Sequence, residues 1–171
     1  MPTAPTLPAR RLTLRPLTKA TQDQVAWLRD PIVTRFSEQR HAAHTLSTQL
    51  RYVNTFPGFL WGIHLVSTNE HIGNISAALD LPNKIADIGI LIGELTATLH
   101  GFGTEAWLTA TNWLLSSDGA GIRKLEAGCM ANNIGMRKIL EKTSFKYEGE
   151  RLNHFLFEGS PIGLVFYGRF K

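Results

Sequence analysis

Cysteine is nearly missing from this chain: Cys129 stands alone, which excludes an intrachain disulfide framework and fits a reducing, cytoplasmic setting. No apolar run approaches the roughly 20 residues that a transmembrane helix needs. The opening stretch MPTAPTLPARRLTLRPL has no apolar core of the kind a signal peptide carries, so no secretion signal is expected. Repeats and low-complexity tracts are absent as well. Charge of one sign is scarce: 18 Lys and Arg against 14 Asp and Glu leave a net +4. That excess draws anions weakly. It gathers in no basic run interleaved with aromatics, which argues against a nucleic-acid partner. His41 and His44 are spaced like two ligands on one helical turn, but no further Cys or His completes a set, so no metal is expected.

What is present is a globular composition, 43% hydrophobic over 171 residues, enough for one domain with a real core. Residues 1–9 carry three prolines and read as a loose tail, with the domain over 10–171. Leu12, Leu14 and Leu17 alternate as a first strand. A helix is expected from about Thr21 to Arg29, ended by Asp30-Pro31. A second is expected from an N-cap at Ser47, with Leu46, Leu50 and Val53 at helical spacing, until Pro57-Gly58. Three strands follow in quick succession: Leu60 to Val66, His71 to Leu79 and Ile85 to Ile92. From Thr104 the pattern turns helical. Lys124 to Ala131 alternates as a buried strand, Asn132 or Asn133 caps another helix, and two closing strands flank the turn Glu158-Gly159-Ser160-Pro161. The order describes a mixed α+β domain in one piece.

The richest chemistry lies in Leu99-His100-Gly101-Phe102-Gly103-Thr104, which leads into a helix N-terminus. Such a turn presents unsatisfied N–H groups and the positive end of the helix dipole. Glycines at Gly101 and Gly103 let a phosphate group approach that backbone closely. Gly-x-Gly at a helix start is also ordinary turn chemistry. A Rossmann reading fails on Ala106 and on the meander of strands before it, and a P-loop reading lacks Gly-Lys-Ser/Thr.

Three segments taken together, IADIGILIGE, TATLHGFGTEAW and KLEAGCMANNIGMRKILEKTSFKYEG, resemble the acyl-CoA core of the GNAT N-acetyltransferases, and most nearly the RimJ/RimL-type branch with its amino-sugar and surface-polysaccharide relatives. The resemblance runs from Arg10 to Lys171. It implies a mostly antiparallel mixed sheet with a central splayed pair of parallel strands, Ile85 to Ile92 and Lys124 to Ala131, and flanking helices. Acetyl-CoA, as acyl donor, would lie in the splay. Its pantetheine arm would pair with Ile90, Leu91 and Ile92 beyond a bulge, its diphosphate would rest on Leu99, His100, Gly101, Phe102, Gly103 and Thr104, and Asn133 would sit near the arm. Arg137 and Lys138 would offset the remaining phosphate. The sequence departs from the family at Thr98 and Leu99-His100 in the cradle, at Met136 where a serine is common, and at Ser144 where a glycine is usual.

Acetyl transfer to an amine needs a neutral nitrogen within reach of the thioester carbon and a donor for the oxyanion. The resemblance places that donor at the N–H of Ile90 or Leu91. Asp87 and Glu94 bracket the strand and are the candidate bases, with a solvated or ion-paired carboxylate as the alternative for each. Cys129 lies on an alternating apolar strand and reads as an inert buried thiol. Arg35, Glu38 and Arg40 fall in the loop that the resemblance puts beside the acceptor, where an arginine would hold a phosphate or carboxylate; a solvated polar loop is the other reading. The expectation is an acetyl-CoA-dependent N-acetyltransferase, monomer or homodimer, acting by direct transfer on a small-molecule or peptide amine, an amino sugar or a protein N-terminus. A catalytically silent acyl-CoA-binding module is the alternative that Thr98 and Met136 suggest.

Overall fold

Alternating strand segments, each half buried, zip into one eight-stranded sheet in the computed structural model, which describes residues 3–94 and 100–171. Strands β1 (Leu7–Pro8), β2 (Leu12–Pro16), β3 (Gly58–Leu65), β4 (His71–Asp80) and β5 (Ile85–Ile92) are followed along the sheet by β6 (Lys124–Met130), then β8 (Ser160–Phe170), with β7 (Lys146–Phe157) at the edge. Every neighbouring pair is antiparallel except β5 and β6. A parallel pair needs a crossover, and helix α3 (Phe102–Leu115) supplies it.

The core lies on the face that α3 covers. Trp107, Ala110, Thr111 and Leu114 of α3 are buried with Ile75, Ala77, Ile88 and Leu125 of the sheet. Register fixes which residues share that face: Ile75 stands opposite Ile90 and Ala77 opposite Ile88. By alternation, Asn74, Ser76, Gly89 and Leu91 point the other way, toward α1 (Gln22–Arg29) and α2 (Leu46–Thr55). Thr21 and Gln24 close a capping box on α1.

Several boundaries differ from the sequence expectation. Residues 1–9 are not a loose tail as a whole, because Leu7–Pro8 pairs with β2 and the Pro5 carbonyl accepts a hydrogen bond from the buried Trp61 indole at 2.8 Å. Burying Ala4 and Leu7 holds this segment down. The cap of helix α2 lies two residues earlier than the expected Ser47, because Thr45 and Thr48 form the capping box. None of its residues is buried; Leu46 and Leu50 stay 39% and 47% exposed, so α2 roofs the sheet without packing into the core. The closing hairpin turns on Glu158-Gly159 alone, both at positive φ (50° and 81°), as a two-residue type I′ turn requires.

Candidate functional site

Strands β5 and β6 pair only from Ile85↔Lys124 to Asp87↔Glu126, and then part. Backbone parity decides what this opening presents. Gly93 donates its N–H to Ile72 of β4 at 2.9 Å, so Leu91 and Gly89 also turn their N–H groups into the β4 ladder. Ile90 and Ile92 turn theirs toward the β6 side, beyond the last paired residues. The expected bulge is missing, since β4 and β5 hold an uninterrupted register from Gly73↔Ile92 to Asp80↔Ile85. Of the two expected donors, Leu91 has its N–H engaged by the regular ladder, and Ile90 is the one whose N–H faces the splay.

At the neighbouring N-terminus of α3, Gly101 takes the cap position at φ 74° and, being glycine, offers no side-chain cap. Among the described residues the first-turn N–H groups of Phe102, Gly103 and Thr104 therefore have no side-chain capping partner. Gly101 needs its glycine for the left-handed backbone. Gly103 plays a different part from the expected close approach to phosphate: it is buried, and an added Cβ would meet Ile92 and Ile139 at 3.7 Å in the core. Arg11, which no motif singled out, reaches this turn from the residue before β2. Its backbone N–H donates to Glu105, its Nε to Glu105 Oε2 at 2.7 Å, and its Nη1 to the His100 carbonyl at 3.0 Å. The guanidinium also lies 4.6 Å from the Phe102 ring centre. No local spacing could reveal this, because Arg11 and Glu105 are 94 residues apart in the chain. Leu99, and the departure at Thr98, lie outside the described residues.

On the face away from α3, the sheet and the α1–α2 region enclose a recess of about 470 Å³. Leu60, Asn74, Ser76, Gly89, Ile90 and Leu91 form its floor, and Gln24, Leu28, Gln49, Tyr52 and Val53 its walls. The floor thus adjoins the splay through Gly89 and Ile90. Sequence reasoning missed Tyr52, Asn74 and Ser76; a tyrosine on a polar helix and single polar residues within a strand are signals too common to act on.

The model for the acetyltransferase (GNAT) domain matches residues 11–146. The chain belongs to the GNAT acetyltransferase family. The solved GNAT-family acetyltransferase of Bacillus anthracis superposes with a TM-score of 0.75 at 15% identity, covering 96% of this chain and 98% of the other. The microcin C7 self-immunity acetyltransferase MccE, solved with acetyl-CoA and AMP, gives 0.76 at 16% identity over 94% of this chain and 93% of its own. RimL, the ribosomal L7/L12 α-N-protein acetyltransferase, solved with coenzyme A, gives 0.76 at 16% over 97% and 98%. Identities this low establish the shared fold. No curated protein matches the chain by sequence.

Within this GNAT domain the charged candidates are mostly committed elsewhere. Asp87 lies at the last paired position of β5 beside Glu126. Partial burial of its carboxyl and then the Glu126 charge raise its pKa above the usual carboxylate value, although the residue remains exposed and lines no part of the recess. The Glu94 carboxylate accepts the Trp27 indole N–H at 3.1 Å. Arg35, Glu38 and Arg40, expected beside the acceptor, brace the closing hairpin instead. Arg35 pairs with Glu158 at 2.9 Å. Arg40 pairs with Glu38 at 2.9 Å and donates to the Ser37 and Leu156 carbonyls at 3.0 Å. The tip they hold also stacks Phe157 on Phe36.

Two of the three expected CoA-side residues after β6 have structural partners. Asn133 caps α4 (Ile134–Lys142) by accepting the Met136 N–H at 3.1 Å. Arg137 donates to the Ala131 carbonyl at 3.1 Å and to the Tyr167 hydroxyl at 3.3 Å. Lys138 is exposed on α4. Cys129 is buried, which pushes its thiol pKa up to about 11. Among the described residues no group of three His, Cys, Asp or Glu comes together as a metal site, and no helix is long and apolar enough to cross a membrane.

Proposed function

We infer that this GNAT domain is an acetyl-CoA-dependent N-acetyltransferase that moves acetyl directly onto a primary amine, an amino sugar or a protein N-terminus. The observation that carries the reading is the splay of β5 from β6 beside the uncapped N-terminus of α3. Acetyl-CoA would supply the activated thioester, and the chain contributes the surroundings. Phe102, Gly103 and Thr104 would direct N–H groups at the diphosphate, with the dipole of α3 behind them. Ile90 would donate its N–H to the oxyanion, from a backbone already fixed by the β4 ladder and needing no rearrangement. The recess would bring the amine to the opposite side of the same backbone. A thiol with a pKa near 11 is a poor nucleophile at neutral pH, which supports direct transfer over an acyl-cysteine intermediate. The single buried cysteine also accords with a cytoplasmic setting.

Calorimetric titration with acetyl-CoA, followed by thiol release in the presence of primary amines, tests this. Saturable one-to-one binding with amine-dependent thiol release is expected. Binding without turnover on any amine would leave the catalytically silent module; absence of binding at millimolar ligand would remove both readings.

A further inference from the structure

The recess beside β5 is polar but, among its described lining residues, contains no Asp or Glu. The segment 95–99, Leu-Thr-Ala-Thr-Leu, has none to add. The nearby carboxylates lie outside its lining: Glu94 accepts from the Trp27 indole, Glu38 pairs with Arg40, and Asp87, on the same face of β5 but two residues before Gly89, stands by Glu126. The charged or titratable side chains that do line it are Arg51 and Tyr52 from α2 and His44 from the preceding loop. The His44 ring is tied at both nitrogens, Nε2 to the Gln39 carbonyl at 2.8 Å and Nδ1 to the Gln49 amide at 3.1 Å. A carbonyl can only accept, so Nε2 donates to Gln39, and both ring nitrogens are engaged by neighbours. From β4, His71 directs Nε2 at Asn74 Oδ1 at 2.9 Å, which leaves the Asn74 amide between it and the recess.

An ammonium ion entering such a place loses hydration and meets no counter-charge. Desolvation and the Arg51 cation then favour loss of its proton. The free amine is the form that attacks a thioester, so the recess itself can do what a side-chain base does elsewhere. Tyr52 and Ser76 both line the recess, and partial desolvation raises the Tyr52 pKa above its ordinary value, so it remains a hydroxyl at neutral pH. Ser76 faces Gly89 across the ladder, with its Oγ 3.2 Å from where a Gly89 Cβ would be, next to the residue that points its N–H into the splay.

Resting on the N-acetyltransferase reading, we propose that the recess selects a primary amine whose other groups are uncharged hydroxyls or amides, delivers it as the free base by desolvation, and seats its nitrogen on Tyr52 and Ser76. On binding, the ammonium releases one proton to solvent. In transfer, the N–C bond forms and the C–S bond breaks; nitrogen sheds one proton and sulfur gains one, so amine and thioester become amide and thiol with no further reactant.

Gln24→Glu tests this directly. Glutamate fills the capping-box position as well as glutamine does, keeping an acceptor for the Thr21 N–H while placing a carboxylate in the wall of the recess. Glucosamine, an alanyl-tyrosine dipeptide amide and spermidine serve as probes. They are titrated into CoA-loaded protein in two buffers of different ionisation enthalpy, at a pH where the free amines are protonated. The wild type is expected to bind glucosamine or the dipeptide amide in preference to spermidine, with proton release approaching one per amine. In Gln24→Glu, proton release falls toward zero and the preference moves to spermidine. Tyr52→Phe and Ser76→Ala, which introduce no charge, lower kcat about tenfold while acetyl-CoA affinity stays unchanged. Binding without proton release, or a wild type that prefers spermidine, overturns the proposal and leaves the acetyltransferase reading standing. Acetyl-CoA binding with no turnover of any amine overturns both.

Discussion

Two glycines one residue apart in the cradle should behave in opposite ways when each gains a single methyl group. Gly101 sits at φ 74° with nothing but Arg11 Nη2, 3.9 Å away, near its notional Cβ. In Gly101→Ala the left-handed backbone costs about 1–2 kcal/mol. For a domain of this size that lowers Tm by roughly 2–8 °C, at about 2–4 °C per kcal/mol. The methyl also stands where an anion would approach the first-turn N–H groups. Losing one hydrogen bond to a charged group costs about 1.5–3 kcal/mol, or about 10- to 150-fold in affinity. Gly103→Ala instead points its methyl into ordinary contact with Ile92 and Ile139 at 3.7 Å. Replacing a first-turn helical glycine by alanine gains less than the about 1 kcal/mol of helix propensity seen in a helix interior. Calorimetry with CoA and thermal unfolding of both variants make the comparison. A weakened Gly101→Ala beside a normal or slightly stabilised Gly103→Ala is expected. Equal loss of CoA affinity in the two, or undiminished binding in Gly101→Ala, would refute the placement of the anion.

Other residues give sharper contrasts between structure and chemistry. Arg40→Ala should cost about 1–3 kcal/mol by unfolding, since it strips the Ser37 and Leu156 carbonyls of a charged donor, yet leave acceptor KM within about twofold. A large KM change would return Arg40 to the acceptor. Asp87→Asn tests the raised carboxyl. A raised folded pKa stabilises the fold below the unfolded value and loses that contribution as pH rises through the folded one, so the asparagine variant should be the more stable at pH 7 and lose its advantage in acid. The gain should be a fraction of a kcal/mol, because the exposed group is screened by solvent. Cys129 should react with a thiol reagent at pH 8 only at the rate of global unfolding, following its burial and its pKa of about 11; rapid labelling of the folded protein would contradict both.

Most of the elements were legible because their causes are local. Alternation in Ile85 to Ile92, the cap at Asn133 and the turn glycines specify themselves within a few residues. The family resemblance likewise rests on three contiguous segments, and the domain model covers all of them but the last three residues. The errors have a common source. Arg35 and Arg40 looked free in the sequence because their partners, Glu158 and the Leu156 carbonyl, are 123 and 116 residues away. Leu91 was plausible as a donor until the register against β4 fixed backbone parity, and a register is a property of two strands together.

By itself, then, the sequence determined that the chain forms one α+β domain of acetyltransferase type, and which turn precedes the helix that would face an anion. Periodicity and capping are read over one or two turns of chain, so those features need nothing distant. Only the tertiary structure decided which cations remain available and which backbone N–H groups face the splay. It also brought Tyr52, Asn74 and Ser76, from two separate elements, onto one wall and floor without a carboxylate. Such facts depend on what packing brings close, and charge and hydrogen-bond capacity are spent on neighbours in space, however far apart they lie in the chain.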